Sequence, residues 1–291
     1  MLVVLLGEII IRSAHVMSDI PQRTIDEYGI QKYFPNQSGY WKGGGHKWLV
    51  NELGWPGELP DSYDNLITII GDSFIENFMN PNECHQSKLL KERSNKYNFI
   101  EAARSGVSFI EAMEISKQLD SLNPKMQLIY VSDKDFRESV SSIKLLKDIT
   151  QFNIESNKVV YGEMKASGAK KILYNWKLLY YFYSNFLVDF SFKKVSNKKE
   201  KPSININSNI KDYSYLLNYV KANYSINDKV LVFHPNSKSE VIDACEKVGF
   251  NILILDSTKD RSWSFDHDSH WTCYGHGRVA DQVSVFLNKK E

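Results

Sequence analysis

Residues 65–74 read Asn-Leu-Ile-Thr-Ile-Ile-Gly-Asp-Ser-Phe, and this stretch decides the fold. Leu66 to Ile70 is a short apolar run rich in β-branched residues that stops at Gly71, the pattern of a strand buried on both faces of a parallel sheet. Downstream the chain alternates. A helix is predicted over Gln86–Asn95, a strand over Tyr97–Ala102, a helix over Ser108–Leu122 and a strand over Met126–Val131, with Asn123-Pro124 as the helix stop. The rhythm returns with a helix over Tyr213–Tyr224, a strand at Lys229–Phe233, a helix at Ser239–Val248, a strand at Asn251–Leu255 and a closing helix at Gly275–Asn288. Strands and helices of this length in strict alternation predict an α/β protein with a doubly wound, five-stranded parallel sheet between two helical layers.

Two segments stand outside that rhythm. Residues 1–64 are rich in turn signals, such as Pro35-Asn36-Gln37-Ser38-Gly39 and Gly43-Gly44-Gly45, and are expected to form an irregular lead-in over a domain spanning 65–291. Residues 139–210 read as a helical insertion after the third strand, with a helix at Ser139–Asp148, a hairpin at Lys158–Lys165 and an aromatic helix from Lys171 to Phe192. A lysine-rich, solvated loop follows at 193–201. The extreme N-terminus, Leu2 to Ile11, is apolar but only about half the length a membrane span needs, and Glu8 interrupts it. It is either a short helix packed on the domain or the remnant of a membrane anchor, which leaves peripheral membrane association open.

Composition narrows the partners. Lys and Arg nearly balance Asp and Glu, for a net charge of +1, so no broad basic field favours nucleic acid and a small or neutral substrate is expected. Cys84, Cys245 and Cys273 fall in no CxxC or Cys/His spacing and predict neither a structural zinc site nor a disulfide framework.

Chemistry is concentrated in two places. Ser73 follows Gly71-Asp72 at the exit of the first sheet strand, where open α/β sheets bind ligands and where amides at a helix start can stabilise an oxyanion. Asp266-His267-Asp268-Ser269-His270-Trp271 lies just before the closing helix. A serine needs an imidazole base, and the imidazole needs an acceptor to fix its tautomer. Asp268, two residues before His270, can serve as that acceptor; His267 and His276 are competitors for the base. The same histidines and aspartates could instead form a metal cluster, although their spacing matches no HExxH pair.

Taken together, Ile70 to Asn77 (IGDSFIEN) and Asp268 to Val279 (DSHWTCYGHGRV) resemble the first and last blocks of the GDSL/SGNH hydrolases, and Ala103 to Ser108 (ARSGVS) is similar to their second block. The lead-in Asn51-Glu52-Leu53-Gly54-Trp55 resembles segments preceding the serine in bacterial envelope members. The resemblance implies a three-layer, flavodoxin-like fold and a serine esterase or O-acyltransferase that needs no cofactor or metal. Its substrate would be a small-molecule or glycan ester, most plausibly an O-acetyl group on a polysaccharide. It implies Ser73 as nucleophile, His270 as base, Asp268 as its orienting acid, and an oxyanion hole from the amides of Ser73 and Gly106. Where the third block carries Gly-x-Asn-Asp, this chain has Ser132-Asp133-Lys134-Asp135. Lys134 thus replaces an oxyanion-binding asparagine, either donating in its place or turning away to pair with Asp133 or Asp135. Asp72 and Arg104 stand at the rim as candidate substrate contacts, Arg104 being equally readable as a surface residue. A non-catalytic glycan-binding protein on the same fold is the alternative that Lys134 suggests.

Overall fold

The computed structural model describes residues 2–164, 167–187 and 206–290. The chain opens with helix α1 (Leu2–Ser13) and two small antiparallel hairpins, β1 (Arg23–Ile25) with β2 (Gln31–Tyr33) and β3 (Ser38–Trp41) with β4 (His46–Leu49). The central sheet follows. Strand β5 (Leu66–Gly71) runs into the single-turn helix α2 (Ser73–Glu76), then helix α3 (Gln86–Arg93), strand β6 (Asn98–Ala103), helix α4 (Phe109–Leu119), strand β7 (Met126–Val131) and helix α5 (Asp133–Ser139).

The middle region differs from its prediction. The helix expected at 139–148 starts six residues earlier, because Ser132 and Asp135 form a reciprocal capping box that launches α5 directly from β7. Val140 instead bridges to Phe152, and the hairpin is β8 (Gln151–Asn153) with β9 (Lys158–Val160), turning at Asn157 in a left-handed conformation (φ 52°). The aromatic helix is broken at Trp176 into α6 (Ser167–Asn175) and α7 (Lys177–Phe182), the latter continued by a π-helical turn at Tyr183–Leu187. The lysine-rich stretch at 193–201, with Phe190 and Phe192, lies outside the described residues. The chain closes with helix α8 (Ile206–Asn223), strand β10 (Lys229–Phe233), helix α9 (Ser239–Val248), strand β11 (Asn251–Ile254) and helix α10 (Cys273–Lys289).

The five sheet strands stand in the order β11-β10-β7-β5-β6, all parallel. Successive side chains of a strand face opposite ways, and they divide the core accordingly. Ile70, Ile129, Val131, Leu231 and Phe233 pack with α4, α8 and α9, while Ile67, Ile69, Leu128, Tyr130 and Val232 pack with α3 and α10. The strand order reverses at β5, which has β6 on one side and β7 on the other. Ligands of such sheets bind at this reversal, outside the carboxyl ends of the strands. The segment after β5 therefore lies where chemistry is expected, and it begins Asp72-Ser73.

One covalent link was not predicted from spacing. Cys84 and Cys273 form a disulfide across 189 residues of sequence, leaving Cys245 buried and free. It joins the short turn Asn82–Cys84 to the first residue of α10. Two cysteines so far apart carry no local signal, and only the packing of α10 beside that turn pairs them.

Candidate active site

Ser73 is positioned by the residues around it. β5 ends at Gly71, where a Cβ would stand 2.6 Å from Cγ1 of Ile75 and 3.3 Å from Cβ of Tyr130, so only glycine lets the chain turn this tightly. Asp72 is buried and caps α2, accepting from the Phe74 N–H at 3.0 Å. Burial raises the Asp72 carboxyl above its ordinary range against that hydrogen bond and the charges of Lys134 and His270. Asp135 is likewise raised well above its ordinary range, by burial and then by the charge of Asp72.

His270 arrives from the far end of the chain on a tight loop. Ser264 and Trp271 bridge its two arms, the Phe265 N–H donates to the His270 carbonyl at 3.1 Å, and the Thr272 N–H donates to the Trp263 carbonyl at 2.7 Å. The loop is tied down from the serine's side of the molecule as well. Buried Asn80 donates to the Trp271 carbonyl at 2.9 Å, and the disulfide anchors residue 273.

The two loops meet. His270 Nε2 lies 2.7 Å from Ser73 Oγ, and His270 Nδ1 hydrogen-bonds Asp268 Oδ1, which also accepts the His270 backbone N–H at 3.0 Å. The backbone hydrogen bond, followed by the side-chain bond and the imidazole's charge, holds the Asp268 carboxyl below its ordinary range. An ionised Asp268 accepts a hydrogen bond from Nδ1–H, which keeps that proton on Nδ1 and leaves Nε2 free to take one from the serine, the tautomer a general base needs.

The second rim loop stands beside α2. The Arg104 N–H donates to the Gly71 carbonyl at 3.3 Å, and Glu76 accepts the Ser105 N–H at 2.6 Å, so α2 and the β6–α4 turn are locked together. Gly106 holds φ +83°, which favours glycine. Among the described residues neither the Ser73 nor the Gly106 N–H has an acceptor.

Arg104 requires a correction. It is not a surface residue but is 1% exposed, donating to Glu111 at 2.6 Å, to the Gln31 carbonyl at 3.2 Å and to the Ser105 carbonyl at 2.7 Å. Its charge is spent on bracing the Gly106 loop from behind. Lys134 lies in the first turn of α5 with its side chain 56% exposed and its ammonium 3.9 Å from Glu138, not paired with Asp133 or Asp135. His276 is buried in α10 and its Nδ1 accepts from Gln86 at 3.1 Å, while exposed His267 lies beside Phe265. Among the described residues no three His, Cys, Asp or Glu side chains converge as metal ligands would. A cavity of about 630 Å³ lined by Trp55, Leu119 and Leu122 lies where α4 ends, and neither Ser73 nor His270 lines it.

Sequence reading missed His234. It follows β10 directly, and its place at the carboxyl end of a sheet strand was the available signal. Its ring lies 4.4 Å from Phe74 and 4.8 Å from Trp271, and Phe74 in turn lies 4.8 Å from His270. Nε2 of His234 is buried without a partner, and burial, then the charge of His270, lowers its pKa from 6.5 to about 3. A histidine held neutral in the fold but protonated when unfolded stabilises fully above pH 6.5, and that stability is lost as pH falls towards 3. In His234→Phe the unfolding free energy, measured by urea titration from pH 6 to pH 4, is expected to fall less steeply than in the native chain, by about 1.4 kcal/mol per pH unit. An unchanged slope would mean that His234 is protonated in the folded protein.

No family model matches this chain, and no curated protein matches it. Solved structures do. A protein described as a lipolytic member of the G-D-S-L family from Desulfitobacterium hafniense DCB-2 aligns with 10% identity over 76% of this chain and 98% of its own, with a TM-score of 0.39. TesA aligns with 9% identity over 77% and 98% and a TM-score of 0.40. A protein described as a GDSL-like lipase from Bacteroides ovatus ATCC 8483 aligns with 13% identity over 77% and 98% and a TM-score of 0.38.

Proposed function

We propose that this chain is a serine esterase of the GDSL/SGNH type, acting on an O-acyl group. What supports the reading is the 2.7 Å hydrogen bond from Ser73 to an imidazole whose other nitrogen is held by a carboxylate. Ser73 Oγ attacks the acyl carbonyl as His270 Nε2 takes its proton. The negative charge that develops on the carbonyl oxygen is held by the amides of Ser73 and Gly106. His270 returns the proton to the departing alkoxide, leaving an acyl-serine. Water, activated by the same imidazole, then releases the acid and restores Ser73; a second hydroxyl in place of water would give acyl transfer. Lys134, turned towards Glu138, is not needed as a third donor in this scheme.

The acyl group we propose is acetyl on a glycan or similar bulky acceptor. Ser73 is only half-buried and the His270 side chain is 25% exposed, so the ester is met near the surface. The Cys84–Cys273 disulfide favours an oxidising setting such as a cell envelope. Turnover of p-nitrophenyl acetate by the native chain, compared with Ser73→Ala and His270→Ala, tests the reading. Equal rates in all three would end it.

A further inference from the structure

Helix α1 carries Leu2, Val3, Leu5, Ile9 and Ile10 between 52% and 80% exposed, and none of its twelve residues is buried. It does not stand alone. Glu8 accepts the first amides of α7, from Lys177 at 3.1 Å and Leu178 at 2.7 Å, and Arg12 donates back to Glu8 and to the Asn175 carbonyl. Lys177 ties the pair to the body of the protein through Asp19 at 2.7 Å. The polar groups of α1 are thus turned onto α7, and the outward side that remains is aliphatic. α7 and its π-turn extend the surface with Trp176 (53% exposed), Phe182, Tyr183 and Phe186.

We infer that this paired-helix surface binds a lipid bilayer bearing anionic headgroups. Apolar patches of this extent on a folded protein mark an interaction surface. With Glu8 and Arg12 engaged by α7 and the end of α6, α1 leaves exposed aliphatic side chains on its outward side, as a helix lying in a bilayer interface does. Trp176 and Tyr183 are the ring types that settle at the boundary between headgroups and acyl chains. Lys170 and Lys171, exposed on α6, the helix that leads into α7, match the charge of anionic headgroups. With Glu8 and Arg12 so held, α1 presents its aliphatic side chains to a bilayer side-on, its twelve residues extending about 18 Å at 1.5 Å per residue. Among the described residues no helix is long and apolar enough to cross a membrane.

Flotation of the full chain with phosphatidylcholine vesicles, with and without phosphatidylglycerol, tests this without reference to ester turnover. The native chain is expected to float with both and more strongly with phosphatidylglycerol. The double variant Ile9→Asp/Ile10→Asp is expected to lose about tenfold or more in partitioning to either vesicle. Lys170→Gln/Lys171→Gln is expected to lose about tenfold, and only on phosphatidylglycerol. Both pairs are exposed, so their thermal midpoints should match the native one. Native chain that stays with neither vesicle, or an Ile9→Asp/Ile10→Asp chain that floats as well as the native one, overturns the inference. So does a native dimer in sedimentation velocity that this variant dissociates without any vesicle binding, since a second copy would then be the cover.

Discussion

Replacing Ser73 with alanine is expected to lower kcat/KM on p-nitrophenyl acetate by about 10⁴-fold or more, and replacing His270 with alanine by a similar factor. The two losses should not add. A nucleophile and its base act as one unit, so Ser73→Ala/His270→Ala should fall to nearly the same residual rate as either single variant. That residue of activity belongs to oxyanion binding by backbone amides, which neither substitution removes. The folded state should survive both changes, because the serine is half-buried and the histidine sits on a loop held by Asn80 and residue 273. A double variant as slow as the product of the two single losses would show that the two side chains act separately.

The second large effect is on stability. A cross-link closing 189 residues removes a great deal of conformational freedom from the unfolded chain, and loop-closure entropy puts its worth at about 5 kcal/mol. Cys84→Ser/Cys273→Ser is therefore expected to unfold at much lower urea than the native chain under oxidising conditions, and to match the native chain once that is reduced. Activity should drop as well, since the disulfide anchors the residue that follows the His270 loop. Coincident urea midpoints for the oxidised native chain and the serine variant would contradict this.

Sheet and site were legible in the sequence to different depths. The parallel strands announce themselves because both faces are buried: Leu66–Ile70, Met126–Val131 and Lys229–Phe233 are nearly continuous apolar runs with clear stops. Ser73 and His270 are readable because each stands on a loop at the carboxyl end of the sheet, where the strand order brings distant loops together. The middle region was harder to read. Ser132 to Asp135 looks like a site block and is at once a helix start, since the same serine and aspartate form a capping box. Arg104 looks like a surface arginine because nothing nearby in sequence reveals Glu111 and the Gln31 carbonyl waiting in the interior. The Cys84–Cys273 pair and the Phe74–His234 contact join segments more than a hundred residues apart, which periodicity cannot encode.

The claim beneath the rest is that His270 activates the hydroxyl of Ser73. Treating the folded full chain with a fluorophosphonate and locating the adduct by mass spectrometry of its peptides tests this most directly. The account predicts a single modified residue, Ser73, in the native chain and little or no adduct in His270→Ala. An unmodified Ser73, or equal labelling with and without the imidazole, would contradict it.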